Sequence, residues 1–396
     1  MERVQRTAVT TGQAPSRRQK NHQPPAVLAT LLAEADVRLN GGRPWDIQVN
    51  DPAAYRRTLS QGSLGFGEGY MDGLWDCPQL DELFTRMLRA DINNKLRRYT
   101  WRILAASLGS HLQNLLHNRQ SRQRAFQVGE QHYDIGNDIY SAMLDPTMSY
   151  SCAYWAEADN LAAAQQAKLD LICRKLDLQP GERLLDIGCG WGGLARHAAS
   201  HYEVEVVGIT VSREQQKWAQ EQCAGLPVQI ELMDYRALQG RYDKVVSVGM
   251  FEHVGPKNYA TYFDTVYRLM ADDGLFLLHT IGDFESCNYN DRWMDRYIFP
   301  NGILPSASQI ATALEPNLVF HDWHNFGPDY DRTLMAWWEN FVAAWPSLSQ
   351  HYDQRFYRMW QYYLHSCAGL FRSGQGQLWQ IVIAKRGQQL QYRSVR

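Results

Sequence analysis

Between residues 160 and 280 the apolar positions switch repeatedly between two periods. Leu169, Ile172, Cys173 and Leu176 recur at helical spacing and stop before Pro180-Gly181. Apolar runs of strand length follow at 183–187, 204–209, 228–233, 243–249 and 274–280. Helix-like stretches lie between them, one starting near 192 and others over 212–223 and 259–270. Strands alternating with helices predict a parallel, doubly wound α/β sheet. Beyond 283 the alternation is broken by aromatic-rich segments, which read as a lid or insertion. A last apolar run, Leu378 to Ala384, predicts a strand returning to the sheet edge. The chain contains no internal repeat.

Ahead of this region the pattern is different. Residues 26–90 read as a compact, mixed accessory domain whose run from Gly62 to Gly73 (GSLGFGEGYMDG) predicts a glycine-rich structural turn. In 91–125, Trp101, Leu104, Leu108, Leu112 and Leu115 recur at helical spacing. Beside them Lys95, Arg97, Arg98, Arg102, Arg119, Arg122 and Arg124 face one acid, Asp91. Such a helix suits an anionic membrane surface, or a packed linker with a solvated basic face. Residues 1–25, rich in Thr, Gln, Arg and Pro, read as a disordered tail, with a targeting peptide the weaker reading. The expected division is therefore a tail (1–25), an N-terminal accessory domain with a basic linker helix (26–125) and a catalytic domain (126–396).

Composition narrows the class. The length of 396 residues suggests two or three domains, and 45% hydrophobic with 12% aromatic residues suffices for substantial cores. A net charge of −2 carries no global signal for nucleic acid. No apolar run approaches the roughly 20 residues of a membrane span. The 7 cysteines are scattered at 77, 152, 173, 189, 223, 287 and 367, without metal-ligand or disulfide spacing. Reduced thiols in a cytoplasmic protein, with no metal, are the simplest account.

Chemistry enters at Leu185-Asp186-Ile187-Gly188-Cys189-Gly190-Trp191-Gly192, between a predicted strand and helix. Alternate glycines let the backbone turn sharply and approach a ligand closely. Asp186 followed by Gly188, Gly190 and Gly192 resembles motif I of S-adenosylmethionine-dependent methyltransferases, although an ordinary strand-to-helix turn would share parts of it. In such sheets ligands bind beyond the carboxyl ends of the strands. That rule gathers Glu252 and His253, after one predicted strand, with His279 at the end of its neighbour, as an acid/base cluster. The second strand ends in Thr210 rather than in the acidic residue that usually holds a ribose, which leaves Thr210 and Gln215 to share that hydrogen bonding.

Longer motifs then appear in order: Tyr150 to Trp155 (YSCAYW), the glycine loop, Thr210 to Gln216 (TVSREQQ), Gly249 to Gly255 (GMFEHVG), Leu278 to Gly282 (LHTIG), Tyr297 to Gly302 (YIFPNG) and Asp329-Tyr330-Asp331. Together with Gly69 to Gly73 (GYMDG) they resemble the cyclopropane-fatty-acyl-phospholipid synthases over residues 26–390. The resemblance implies a class I, Rossmann-like methyltransferase fold with a smaller N-terminal domain. It further implies transfer of a methyl group from S-adenosylmethionine to a cis double bond of an unsaturated phospholipid. The resulting carbocation closes to a ring on losing a proton from the new methyl group.

In such enzymes the base is a bound bicarbonate. Its ligands here would be Cys152, Glu252, His279, Tyr330 and the backbone of Ile281. Cofactor contacts implied are Tyr150, Ser151, Asp186, Gly188, Gly190, Gly192, Thr210 to Gln215, Tyr235 and Arg236. Cys367 matches a cysteine once taken as a nucleophile; the chemistry does not require one, which favours a structural role. The rings of Trp293, Tyr297, Phe299, Trp323, Phe326, Trp337 and Trp338 suit an acyl tunnel, though a plain core explains most of them equally well. A homodimer at the cytoplasmic side of the inner membrane, peripherally bound, completes the expectation. An amine N-methyltransferase, a methyl-branching lipid enzyme and a non-catalytic lipid-binding module are the rivals.

Overall fold

The computed structural model describes residues 24–99, 120, 136–388 and 392–396. It begins with α1 (Ala26–Glu34), β1 (Gln48–Val49), α2 (Ala53–Gln61), α3 (Ser63–Met71), β2 (Trp75–Asp76), α4 (Leu80–Arg89) and α5 (Ile92–Tyr99). After α6 (Asn137–Met143) and α7 (Leu161–Lys175) comes the alternation. It runs through β3 (Arg183–Ile187), α8 (Gly193–Tyr202), β4 (Glu205–Thr210), α9 (Arg213–Gln222), β5 (Val228–Leu232), β6 (Tyr242–Val248), α10 (Tyr259–Leu269) and β7 (Met270–Gly282). The chain then forms α11 (Arg292–Tyr297), α12 (Ala307–Leu314), β8 (Leu318–Asn325), α13 (Pro328–Leu348), α14 (Gln354–Arg372) and β9 (Gln377–Lys385).

The strand order β5-β4-β3-β6-β7-β9-β8 is that of a doubly wound sheet, parallel except for β9. Near-continuous apolar strands are the consequence of helices on both faces. Leu185, Ile187, Val245, Phe276 and Leu278 pack on α10 and α12; their neighbours Leu184, Val246, Leu275 and Leu277 pack on α7, α8 and α9. The order reverses between β3 and β6, where a ligand crevice opens at the carboxyl ends. Among the described residues no helix is long and apolar enough to cross a membrane.

Two expectations are corrected. The last strand does not lie at the sheet edge: β9 runs antiparallel between β7 and β8. The edge is β8, which the pattern beyond 283 conceals. Its sequence LVFHDWHN carries His321, Asp322 and His324, and an irregularity between Phe320 and Asp322 breaks the alternation of faces. The run Gly62 to Gly73 is not a turn but mostly helix α3. There a Cβ at Gly65 would collide with the Arg57 carbonyl oxygen, and one at Gly67 with the Trp293 ring. Both glycines serve close packing of the helix.

The N-terminal helices share one core with the last two helices. Leu28, Leu31, Leu80 and Leu83 pack in a single cluster with Trp337, Phe341, Trp360 and Phe371. Polar contacts seal the seam. Arg358 Nη2 donates to the Trp75 carbonyl (2.9 Å), Tyr70 Oη to Gln361 (2.7 Å) and Tyr297 Oη to Glu68 (2.8 Å). The expected boundary at 125/126 and the basic side chains from Arg97 to Arg124 lie outside the described residues, as does nearly all of the tail. Lys95, within them, pairs with Glu34 at 2.5 Å.

Candidate active site

Beyond Ile187 the chain turns through Gly188, Gly190 and Gly192 with φ of 88°, 54° and 84°. A Cβ on Gly190 would meet nothing within 4 Å, because the space beside it belongs to a cavity. Gly192 serves packing instead. A Cβ there would stand 2.9 Å from Ala219, so its absence lets the first turn of α8 approach α9. The cavity is walled by Asp186 of β3 with Gly188 and Gly190 beyond it, Thr210 at the end of β4 with Gln215 beyond it, Tyr235 and Arg236 after β5, and Tyr150 and Ser151. Thr210 Oγ1 donates to Gln215 Oε1 (2.7 Å), so Gln215 offers the cavity its NH2 group, a donor. Asp234, 3% exposed, accepts the Arg236 N–H (3.0 Å) and also lines the cavity. Burial pushes the Asp186 carboxyl up to about 7 against the pull of Lys168.

A second cavity, about 620 Å³, adjoins the first. Tyr150, Ser151, Gly249 and His253 line both. It is also lined by Glu252, His279, Ile281, Tyr330 and Cys367. Glu252 follows β6 on a short turn, and its Oε1 accepts the Ile281 N–H at 2.7 Å. Its Oε2 is buried without a partner. The nearby Thr280 hydroxyl lies 3.1 Å from the Ile281 carbonyl oxygen and also acts on the Glu252 carboxylate. Burial raises the Glu252 carboxyl above its ordinary range, with the Ile281 amide opposing. His279 lies opposite Gln380 across the β7–β9 ladder, and the Gln380 amide reaches its Nδ1 at 3.2 Å. With the Gln380 NH2 group as the donor, the ring carries its proton on Nε2. His279 Nε2 is likewise buried and unpartnered. Burial, with Lys168 and Lys175 adding to it, keeps this imidazole neutral; burial alone lowers His253 to about 4.

The structure thus brings Glu252, His279, Ile281, Tyr330 and Cys367 to one cavity and most of the expected cofactor contacts to the other. Cys152 lines neither: it is fully buried, with its thiol 3.2 Å from the Ala153 carbonyl. The Ile281 N–H is already engaged by Glu252. Cys367 faces the second cavity as a thiol, pushed up by burial to about 12. Of the seven rings expected to form a tunnel, Trp293 and Phe299 line it, whereas Trp337 is core. Much of the apolar wall instead comes from the N-terminal region, including Leu28, Leu31, Leu32, Ile47, Phe84, Met87 and Ile92. The sequence carries no signal for that wall, because an apolar residue facing a cavity and one facing a core look alike. Asp234 and Lys168 were also missed as wall residues; Asp234 could have been found, since it lies just beyond β5 at the ligand edge.

The family model described as "Mycolic acid cyclopropane synthetase" matches residues 120–381. The cyclopropane-fatty-acyl-phospholipid synthase of Escherichia coli (strain K12) is 56% identical over 358 residues, 90% of this chain and 92% of its own. A probable fatty acid methyltransferase of Pseudomonas putida is 41% identical over 64% of this chain and 68% of its own. Among solved structures, the cyclopropane synthase MmaA2 from Mycobacterium tuberculosis aligns with a TM-score of 0.62 at 32% identity, over 66% of this chain and 98% of its own. The mycolic acid cyclopropane synthase CmaA1, complexed with SAH and CTAB, gives 0.61 at the same identity and coverage of this chain. On the extent of the family match and on these identities, the chain belongs to the mycolic acid cyclopropane synthetase family.

Proposed function

We propose that this protein builds a cyclopropane ring on the unsaturated acyl chain of a phospholipid, with S-adenosylmethionine as methyl donor. The observation that carries the reading is the meeting of two cavities at Tyr150, Ser151, Gly249 and His253. One is walled by the glycine loop and carries the side chains of Asp186, Gln215 and Asp234; the other is lined by Glu252 and His279 together with many apolar side chains. A donor in the first presents its methyl group to a double bond in the second, a matter of placement above all. The new C–C bond forms as the S–CH3 bond breaks, leaving a cation on the chain. Loss of a proton from the new methyl group then closes the ring. Neutral histidines at this wall add no positive charge to oppose the cation.

The two unpartnered atoms fit a bicarbonate ion: His279 Nε2–H would donate to it, and Glu252 Oε2 would accept its O–H. When bound there, bicarbonate supplies the base. Tyr330 lines the same cavity. The Ile281 amide and the Cys152 thiol, expected as further ligands, are turned to protein acceptors and would have to leave them. Phe284, 59% exposed and also lining the second cavity, suits entry of a chain from a bilayer. Peripheral binding at the cytoplasmic side of the inner membrane, as a homodimer, belongs to the same proposal.

The test is direct. Protein, S-adenosylmethionine, bicarbonate and vesicles of monounsaturated phospholipid are expected to yield acyl chains heavier by one CH2, with cyclopropyl protons in the NMR spectrum. Chains of unchanged mass would sink the reading, and a gain of mass without those protons would favour methyl branching.

A further inference from the structure

Helix α7 passes behind residues 149–151, the segment that separates the two cavities, and presents two buried polar side chains to it. Gln165 is 0% exposed and Lys168 is 2% exposed, positions where an unpaired polar group is costly. Gln165 Nε2 donates to the carbonyls of Ser149 (3.2 Å) and Ser151 (2.9 Å). One turn on, Lys168 Nζ donates to Ser151 Oγ at 2.9 Å. Lys168 also lines the cavity beside the glycine loop, and Ser151 lines both cavities.

Burial lowers Lys168 to about 8 while Asp145 and Asp186 hold its proton on, so the ammonium persists near neutral pH. A hydroxyl oxygen that accepts from an ammonium turns its own O–H elsewhere, and the charge behind it strengthens that O–H as a donor. S-adenosylmethionine carries one anionic group, the carboxylate of its methionine part. A hydroxyl backed by a cation attracts that carboxylate, whereas the donor's ammonium and sulfonium groups are repelled.

We propose that Lys168 is a positioning residue for the methyl donor: through Ser151 it holds the donor's carboxylate, and with Gln165 it fixes the wall across which the methyl group is passed. The proposal rests on the reading of the first cavity as the donor site. It gives the buried lysine a role that neither core packing nor the ring-closing chemistry supplies.

Calorimetric titration with S-adenosylhomocysteine, together with steady-state kinetics on phospholipid vesicles, tests it. Lys168→Gln is expected to weaken S-adenosylhomocysteine binding and raise the donor KM about tenfold or more, the scale of a lost charge-assisted hydrogen bond. With saturating donor, kcat and the phospholipid KM are expected to stay within about threefold. Ser151→Ala is expected to weaken binding similarly, and the double variant no more than either single one, because both remove the same link. Wild-type affinity in Lys168→Gln, losses that add in the double variant, or a fall in kcat with KM unchanged would each overturn the proposal. If Lys168→Gln does not fold, Ser151→Ala decides alone, and unchanged affinity overturns it. Wild-type protein that fails to bind S-adenosylhomocysteine would instead remove the donor-site reading itself.

Discussion

Glu252 accepts the Ile281 N–H with one oxygen and leaves the other unpartnered in a buried wall; His279 does the same with its two ring nitrogens. An orphaned buried polar atom costs roughly 1–3 kcal/mol, which a ligand's hydrogen bond would offset. Glu252 and His279 line one cavity as an acceptor and, with Nε2 protonated, a donor, the complement of a small protonated oxyanion. Glu252→Gln keeps the size and the Ile281 contact but turns an NH2 group toward the cavity. Ring formation, followed by mass spectrometry, is expected to fall by about 100-fold or more, the scale of acid/base contributions. S-adenosylhomocysteine affinity is expected to stay within about threefold. A matching loss of affinity would move Glu252 into the donor site. Both residues were legible in the sequence because the ends of adjacent strands are neighbours by rule. The direction of the Cys152 thiol was not, because Ala153 and Thr333, far apart in sequence, decide it.

Helix α3 shows how one composition can serve two structures. Its glycines look like turn formers, and Gly62 and Gly73, at its ends, do take φ of 63° and 73°. Between them the chain is helical, since the glycines lie where α2 and Trp293 come too close for side chains. Gly65→Ala is expected to lower the unfolding free energy in urea by about 1–3 kcal/mol, overpacking against the Arg57 backbone outweighing the helix propensity gained. At Gly69 a Cβ would stand 3.3 Å from Trp75 Nε1, and Gly69→Ala is expected to change stability by less than about 1 kcal/mol. Equal effects at the two positions would contradict this account of the helix. The mistaken place of β9 has a similar origin. Its apolar run is that of a strand buried on both faces, and β8, which covers its far edge, is too polar to register.

At the scale of the molecule, the second cavity is a joint product. The carboxyl edge of the sheet supplies Glu252, His279 and Ile281, and α1, α2, α4 and α5 supply many of its apolar side chains. If an acyl chain lies there, the N-terminal helices set how much chain fits. Leu31, 2% exposed and lining the cavity, is a test position. Leu31→Trp is expected to shift product from longer to shorter acyl chains by roughly threefold or more when vesicles of mixed chain length compete, as read by mass spectrometry. S-adenosylhomocysteine affinity, unchanged, would show that the fold survives. An unaltered product ratio would remove α1 from the acyl wall.

The sequence by itself determined the alternation of strands and helices, the glycine loop, and which ionisable residues end the strands at the ligand edge. These are local properties: period, turn chemistry and order along the chain. The tertiary structure alone decided which apolar residues face a cavity rather than a core, and that the last strand enters the sheet rather than closing it. It alone decided that a buried lysine stands behind Ser151. Each of these depends on partners distant along the chain, such as Lys168 for Ser151 at 17 positions and Gln380 for His279 at 101. No local period encodes such pairs, because packing selects them only after the chain has folded.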